Sequence, residues 1–455
     1  MISVRSLLPR LSGSNVVILL LLIGWMFSSC SSAKETPRRS GTTKKAVTKK
    51  RKKRSRTKKA KKVDWAEASK EKNPPITYDG GPRMDKRDSY DVALMIPFDS
   101  DSYSAFEQGD GDRFVQFYAG AKLAMNSLEE EGITLNIETL DSKNDFNGSY
   151  RQLARKTRDV IIGPYTKDNL MKVAEYGKEN EVVVVSPWLA SSTVTKENPY
   201  YIQLAPGLRE MYNVLVDDIT KRYNAEQVVI LKKEGNKDDA RIKYIQEYAA
   251  SILNRKDTPF QEFEVVVDSL GDSETYFLDL FDPTKETVFL MQNWSFSDED
   301  FIYNTLRKLS AMKGLNKACV YGMPILLNTD RIDYNLYKTM DMRIARSKYV
   351  DPNDSSIKEF KRNFYNAYNS LPTDEAYYGY DVMLFTGRAI HKYGKSFQYF
   401  LNQDKQDLLE TFFSIERKQD KEGVVSDDFR DIEYFLNTHL DIVRMNGNYF
   451  EVSNR

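Results

Sequence analysis

The sequence predicts an α/β protein made of two units in tandem, each a parallel sheet flanked by helices. Three observations carry that prediction. From Ser89 onward, short runs of Val, Ile, Leu and Phe alternate with longer segments of helical periodicity, the pattern of a parallel sheet with crossover helices. Several of the short runs are almost wholly apolar, so those strands are expected to be buried on both faces. The alternation stops near residue 205 and restarts near residue 227, giving two units of similar length.

In chain order, "YDVALMIPF" (90–98) reads as a buried strand ending in a proline, and "FVQFYAGAKLAMNSLEEEG" (114–132) as a helix with a glycine at its end. "ITLNIETLD" (133–141) alternates like a strand, and "SYRQLARKT" is helical. "DVIIGP" (159–164) is a short strand, "TKDNLMKVAEYGKEN" a helix and "EVVVVSP" (181–187) the next strand. The second unit repeats the pattern. "QVVILKK" (227–233), "FQEFEVVVD" (260–268), "ETVFLMQNW" (286–294) and "KACVYGM" (317–323) read as strands. "DDARIKYIQEYAASIL" and "SDEDFIYNTLRKLS" are the helices between them. "SSIKEFKRNFYNAYN" and "DEAYYGYDVMLFTGRAIHKYG" follow, both helical.

The chain has 455 residues, 41% hydrophobic and 12% aromatic, enough for two or three domains with a sizeable core. The net charge of +1 hides a split: residues 1–62 hold 18 of the 67 Lys and Arg and one acid, leaving 49 bases against 65 acids in the rest. Only Cys30 and Cys319 are present. Cys319, inside "KACVYG", reads as an inert core thiol, and no intramolecular disulfide is expected once Cys30 is modified. Two histidines, His391 and His439, exclude a histidine-rich metal site, and no CxxC, HExxH or P-loop pattern occurs. No cofactor is expected.

The N-terminus explains the first cysteine. Arg5 and Arg10 precede an apolar core at 16–27, too short for an ordinary membrane span, and Ser28 and Ser29 lead into Cys30. This resembles a bacterial lipoprotein signal over residues 1–29, with Cys30 the acylated new N-terminus, although Phe27 stands where leucine is usual. A signal peptide with an incidental cysteine and an uncleaved anchor helix are the alternatives. No acidic residue follows directly after Cys30, which favours the periplasmic face of an outer membrane. Residues 34–62 carry sixteen bases and one acid with almost nothing apolar, an extended basic tether within a linker that runs to residue 88. The tether is either a plain spacer or a docking segment for an anionic envelope polymer such as peptidoglycan. Export argues against nucleic acid, and no nucleic-acid partner is expected.

The ordered series "VALMIPF…YAGAKLAMN…TLD…DVIIGP…VVVVSPWLASS…YYIQLAP", then "VVILKK" and a late "LPTDEAYYGYD", resembles the type I periplasmic binding proteins, and within them the branched-chain amino-acid receptors. The resemblance covers about residues 88–400. It implies a first lobe of 89–205 plus about 351–400, a second lobe of 206–350, and ligand between them. Crossovers are expected near 204–207 and 347–351, and 401–455 is expected to be an extension packing on the lobes.

Ligands in open parallel sheets bind beyond the carboxyl ends of the strands. That rule selects the loops at 97–99, 165–166, 186–192, 232–233, 293–295 and 321–323. The resemblance assigns Thr166, Ser186, Ser191 and Ser192 to holding an anionic group, a role that helix N-termini favour. The same hydroxyls are also ordinary N-caps. Tyr165 and Trp188 stand where the family has small residues, and Asn293 and Trp294 would line the second lobe. The two tryptophans either stack on a ligand or plug the cleft. "DSL" at 268–270 resembles an O-glycosylation triplet with Ser269 as acceptor.

Three functions follow. The bulky loops, the absence of an evident ammonium partner and the long tether favour a non-enzymatic envelope protein acting by protein contact. Its roles would include regulating a cell-wall synthase, as in the lipoprotein activators of penicillin-binding proteins that share this fold. The alternative is a solute-binding receptor for an amino acid or related molecule, feeding an ABC transporter or sensor. An envelope enzyme is disfavoured, because no nucleophile–base pair is evident.

Overall fold

Ser89–Ile96 (β1) runs through the first sheet with Val92, Leu94 and Ile96 on one face and Ala93 and Met95 on the other, all essentially inaccessible. A strand apolar on both sides needs a helical layer on each. The computed structural model supplies both, and describes residues 84–99, 111–235, 239–272, 275–419 and 432–454. Cys30 and the 34–62 tether lie outside the described residues.

In the first lobe β1 is followed by α1 (Asp112–Glu130), β2 (Thr134–Asp141), α2 (Phe146–Ala154), β3 (Val160–Ile162), α3 (Lys167–Asn180), β4 (Val183–Ser186) and β5 (Tyr201–Gln203). β1 pairs in parallel with β2 and β3, and β3, β4 and β5 continue the parallel ladder. The chain then enters the second lobe through α4 (Leu208–Arg222), β6 (Val228–Lys233), α5 (Asp239–Leu253), β7 (Gln261–Val265), β8 (Thr287–Met291), α6 (Glu299–Lys313), β9 (Ala318–Gly322), α7 (Tyr334–Thr339) and β10 (Met342–Arg346). The two sheets have the same core order, β2-β1-β3-β4-β5 and β7-β6-β8-β9-β10. The repeat legible in the sequence is therefore a repeat of topology.

α8 (Ser355–Tyr368) and α9 (Asp374–Tyr393) return to the first lobe. α9 packs on α1 at unusually short range. A Cβ on Gly120 would lie 1.8 Å from the Ala376 carbonyl oxygen, and one on Gly379 would lie 1.9 Å from that of Phe117. Each helix offers a glycine to the other's backbone, so α9 sits directly over the amino-terminal half of α1.

Residues beyond 405 do more than pack on the lobes. After the short pair β11 (Gln406–Asp407) and β12 (Phe412–Phe413), β13 (Ile415–Gln419) and β14 (Ile432–Asn437) extend the first sheet beyond β5. β15 (Asp441–Asn446) and β16 (Tyr449–Val452) extend the second beyond β10. β14 joins β5 in parallel, whereas β15 joins β10 antiparallel. Residues 204–207, 347–354 and 438–440 thus carry the chain between the sheets.

Cys319 is buried in β9, where burial pushes its thiol up to about 12. It stays protonated and unreactive at neutral pH.

Candidate functional site

Two crossings leave from strand carboxyl ends: β5 stops at Gln203 just before 204–207, and β10 stops at Arg346 just before 347–354. Short connections of this kind bring the carboxyl edges of the two sheets together. An ion pair spans them, with Arg346 Nη2 3.6 Å from Asp374 Oδ2 at the start of α9. The strand order reverses at β1/β3 in one sheet and at β6/β8 in the other, where ligands of doubly wound sheets sit.

The wall of the first lobe is aromatic. Gly163, before the proline of "IIGP", sits at φ +91°, and a Cβ there would lie 2.3 Å from the Met95 carbonyl oxygen, so only glycine lets the turn close against β1. That turn presents Tyr165, 37% exposed, and Thr166 at the N-cap position of α3. The Thr166 side chain is exposed and makes no capping bond. Trp188, half-buried after β4, meets Phe117, Phe114 and Tyr165 at ring-centroid distances of 4.7, 5.5 and 5.9 Å. Its indole Nε1 donates to Glu375 Oε2 at 3.4 Å, and Arg113 Nη2 donates to Glu375 Oε1 at 2.6 Å. The Arg113 guanidinium also lies 5.4 Å from the Tyr165 ring centre.

Behind this wall is the crossing at 347–354. Lys348 Nζ lies 3.1 Å from the centroid of Tyr378, whose hydroxyl donates to the Pro187 carbonyl, and 3.8 Å from Glu410 Oε1. Burial holds the Lys348 ammonium below the usual lysine range and pushes the Glu410 carboxyl well above the usual carboxylate range. Tyr349 donates its N–H to the Glu410 carbonyl at 2.8 Å, so the crossing is tied to the loop between β11 and β12.

The wall of the second lobe follows β6 and β8. Lys233 Nζ is 2.9 Å from Asp298 Oδ1, and Asn293 Nδ2 donates to Asp298 Oδ2 at 2.9 Å. Asn293 is fully buried. Trp294 is 44% exposed with the Arg241 guanidinium 5.5 Å from its ring centre, and Phe296 is 62% exposed.

The expected site residues therefore separate. Tyr165, Thr166, Trp188 and Trp294 follow strand carboxyl ends and keep accessible surface. Ser186 does not: it is fully buried at the end of β4, facing the Tyr201 phenol inside the core, because it shares the strand face of Val184. Ser191 and Ser192 lie in the irregular segment between β4 and β5 rather than at a helix N-terminus. Ser191 donates its N–H inward to the buried Gln203 Oε1 at 3.2 Å and shares an exposed hydroxyl contact with Thr193 at 3.0 Å, whereas Ser192 is exposed. Ser269 begins a short helix, Ser269–Asp272, in the second lobe. Sequence reasoning missed Arg113, Glu375, Lys348 and Asp298. Glu375 and Asp298 were the discoverable ones, since acids at helix starts are recognisable in sequence.

Among the described residues no group of three or more His, Cys, Asp or Glu side chains is placed to share a metal ion, and no helix is long and apolar enough to cross a membrane.

The architecture recurs in solved structures. A branched-chain amino acid ABC transporter protein from Rhodospirillum rubrum superposes with a TM-score of 0.56 at 13% identity, covering 80% of this chain and all of that one. An ABC transporter substrate-binding protein from Desulfitobacterium hafniense gives 0.50 at 14% identity, with 80% and 100% covered. A branched-chain amino acid ABC transporter periplasmic ligand-binding protein from Burkholderia xenovorans gives 0.50 at 13%, with 80% and 94% covered. At such identities the likeness carries the fold and not the ligand. No curated protein matches the sequence. The family model described as the receptor family ligand binding region matches residues 118–421, well over half of the 455. Its span takes in both walls of the cleft except Arg113, Phe114 and Phe117, and the chain belongs to that family, the type I periplasmic binding proteins.

Proposed function

We propose that the protein is a receptor that works by binding a small solute between its lobes, without chemistry of its own. The observation that carries this reading is the pair of partly exposed walls at the two strand-order reversals, Tyr165 with Thr166 and Trp188 on one side, Trp294 on the other. The family match supports a binding role, and the solved neighbours named as parts of ABC transporters support delivery to such a transporter. The family also supports a place in the cell envelope. Acylation at Cys30 and contact of residues 34–62 with an anionic envelope polymer remain part of the proposal, as does Ser269 as a glycosylation acceptor.

One observation favours the protein-contact reading instead. Trp188 is enclosed by Phe114, Phe117 and Tyr165 with its N–H on Glu375, so the first lobe fills part of its own wall. A cell-wall role has no further support. A thermal-shift screen of the full chain against amino acids, organic acids, sugars and muropeptides separates the two. A ligand that binds only the folded state raises the midpoint in proportion to its saturation. A dose-dependent rise with any of these solutes is the expected result, and no rise across the set overturns the receptor reading.

A further inference from the structure

We infer that the protein carries a second binding surface, outside the cleft, for a neutral polysaccharide strand. It is the exposed carboxyl-terminal half of α8 with the turn that follows. The sequence changes character there. Residues 358–362, "KEFKR", hold four charges in five positions, and the next eleven, "NFYNAYNSLPT" (363–373), hold none, in a chain that is 29% charged. A stretch without charge is ordinarily a buried one. Here Tyr365 is 52% exposed, Tyr368 37% and Leu371 69%, and Asn363, Asn366 and Asn369 are exposed as well. α8 meets the core from its other side, through Ile357, Phe360 and Phe364.

Tyr365 and Tyr368 stand at i and i+3, neighbours on the helix surface. The Tyr368 hydroxyl donates to the Ala119 carbonyl at 3.1 Å and its ring lies 4.9 Å from that of Phe364, so this ring is held in place with part of it open. The Tyr365 side chain has no hydrogen-bond or ring partner among the described residues, and neither have the amides of Asn363, Asn366 and Asn369. A side-chain amide both donates and accepts, which matches sugar hydroxyls that do the same. A tyrosine ring offers an amphipathic face on which the C–H face of a pyranose can lie. Charge selects among the occupants. A charged partner finds no counter-charge on this surface, and an anionic one is repelled by the 65 acids that outnumber 49 bases beyond residue 62. A second copy of the chain brings the same excess of acid, whereas a neutral glycan brings none. The surface stands apart from the receptor reading, since none of its residues belongs to either wall of the cleft.

The test titrates chitohexaose and maltohexaose, both uncharged, into the full chain by calorimetry, with sedimentation velocity to record the oligomeric state. Saturable binding of at least one is the expected result. It should not weaken as salt rises, because salt screens charges and leaves neutral contacts alone. Tyr365→Ala should weaken it about tenfold, and Tyr365→Phe, which keeps the ring, should retain most of it. Asn366→Ala should weaken it about two- to tenfold. Melting temperatures of the variants control for folding, and Tyr365→Gln replaces the alanine variant should that one unfold. Binding of neither oligosaccharide overturns the proposal. Binding that Tyr365→Ala leaves unchanged also overturns it and returns the sugar to the cleft. A dimer that Tyr365→Ala dissociates, with no sugar bound, overturns it in favour of a second copy of the chain.

Discussion

The Asp381 carboxylate, buried inside α9, accepts the backbone N–H of Glu410 at 2.9 Å, and those of Leu409 and Thr411 at the same distance. One side chain therefore holds the loop to which the 347–354 crossing is tied. Burial outweighs those amide bonds and raises the Asp381 carboxyl to about 7, with Lys348 pulling weakly the other way.

That shift predicts a pH dependence. Unfolded, the group ionises near pH 4. Between about 4 and 7 the folded chain keeps a proton that the unfolded chain has released. The contribution is thus fully present below about pH 4 and lost as pH rises through about 7. Asp381→Asn, which stays neutral, should remove it. Urea unfolding of both proteins at pH 5 and pH 8 should show wild type losing a few kcal/mol relative to the variant. Parallel pH curves would show that Asp381 does not titrate in this range.

Gly379→Ala should be among the most damaging single-methyl changes in the first lobe. The added Cβ would meet the Phe117 carbonyl oxygen at 1.9 Å, which forces α9 away from α1. A loss of about 3 kcal/mol or more is expected from urea denaturation. Gly271→Ala, where a Cβ meets nothing within 4 Å, should stay within about 0.5 kcal/mol of wild type.

Thr166 and Trp188 should behave oppositely. Trp188→Ala loses ring contacts and should cost about 2–4 kcal/mol in the absence of ligand. Thr166→Ala removes an exposed hydroxyl that caps nothing and should leave stability within about 0.5 kcal/mol. If Thr166 holds a ligand's anionic group, that variant should instead weaken binding about ten- to a hundredfold by calorimetry. A stability loss without a binding loss would make Thr166 a structural residue.

Cys30→Ser tests the anchor. Membrane fractionation should find the wild-type chain with the membranes and the variant soluble or unprocessed. A variant that is cleaved at the same site and still partitions into membranes would remove lipidation from the account.

The fold was legible because its strands are short apolar runs set between helices of clear periodicity. "VALMI", "DVII", "VVVVS" and "VVILKK" all became central strands, each within a few residues of the expected limits. The added edge strands were harder to read: "IERKQ" and "YFEV" are short and carry charged residues, which also suit exposed loops. The cleft was legible as a set of loops but not as a set of contacts. Whether Ser186 faced core or cleft depended on strand parity at its last residue. The Arg113–Glu375 pair joins residues 262 apart in sequence, so no local pattern announces it.

The strands that complete the two sheets lie within residues 415–452, after everything else in both lobes. During synthesis, β5 and β10 would emerge long before their outer neighbours and wait with open edges, the surfaces on which chains pair wrongly. Neither lobe can therefore mature as an independent amino-terminal unit. A chain cleaved between β14 and β15 would leave one half with a finished sheet and the other lacking its border.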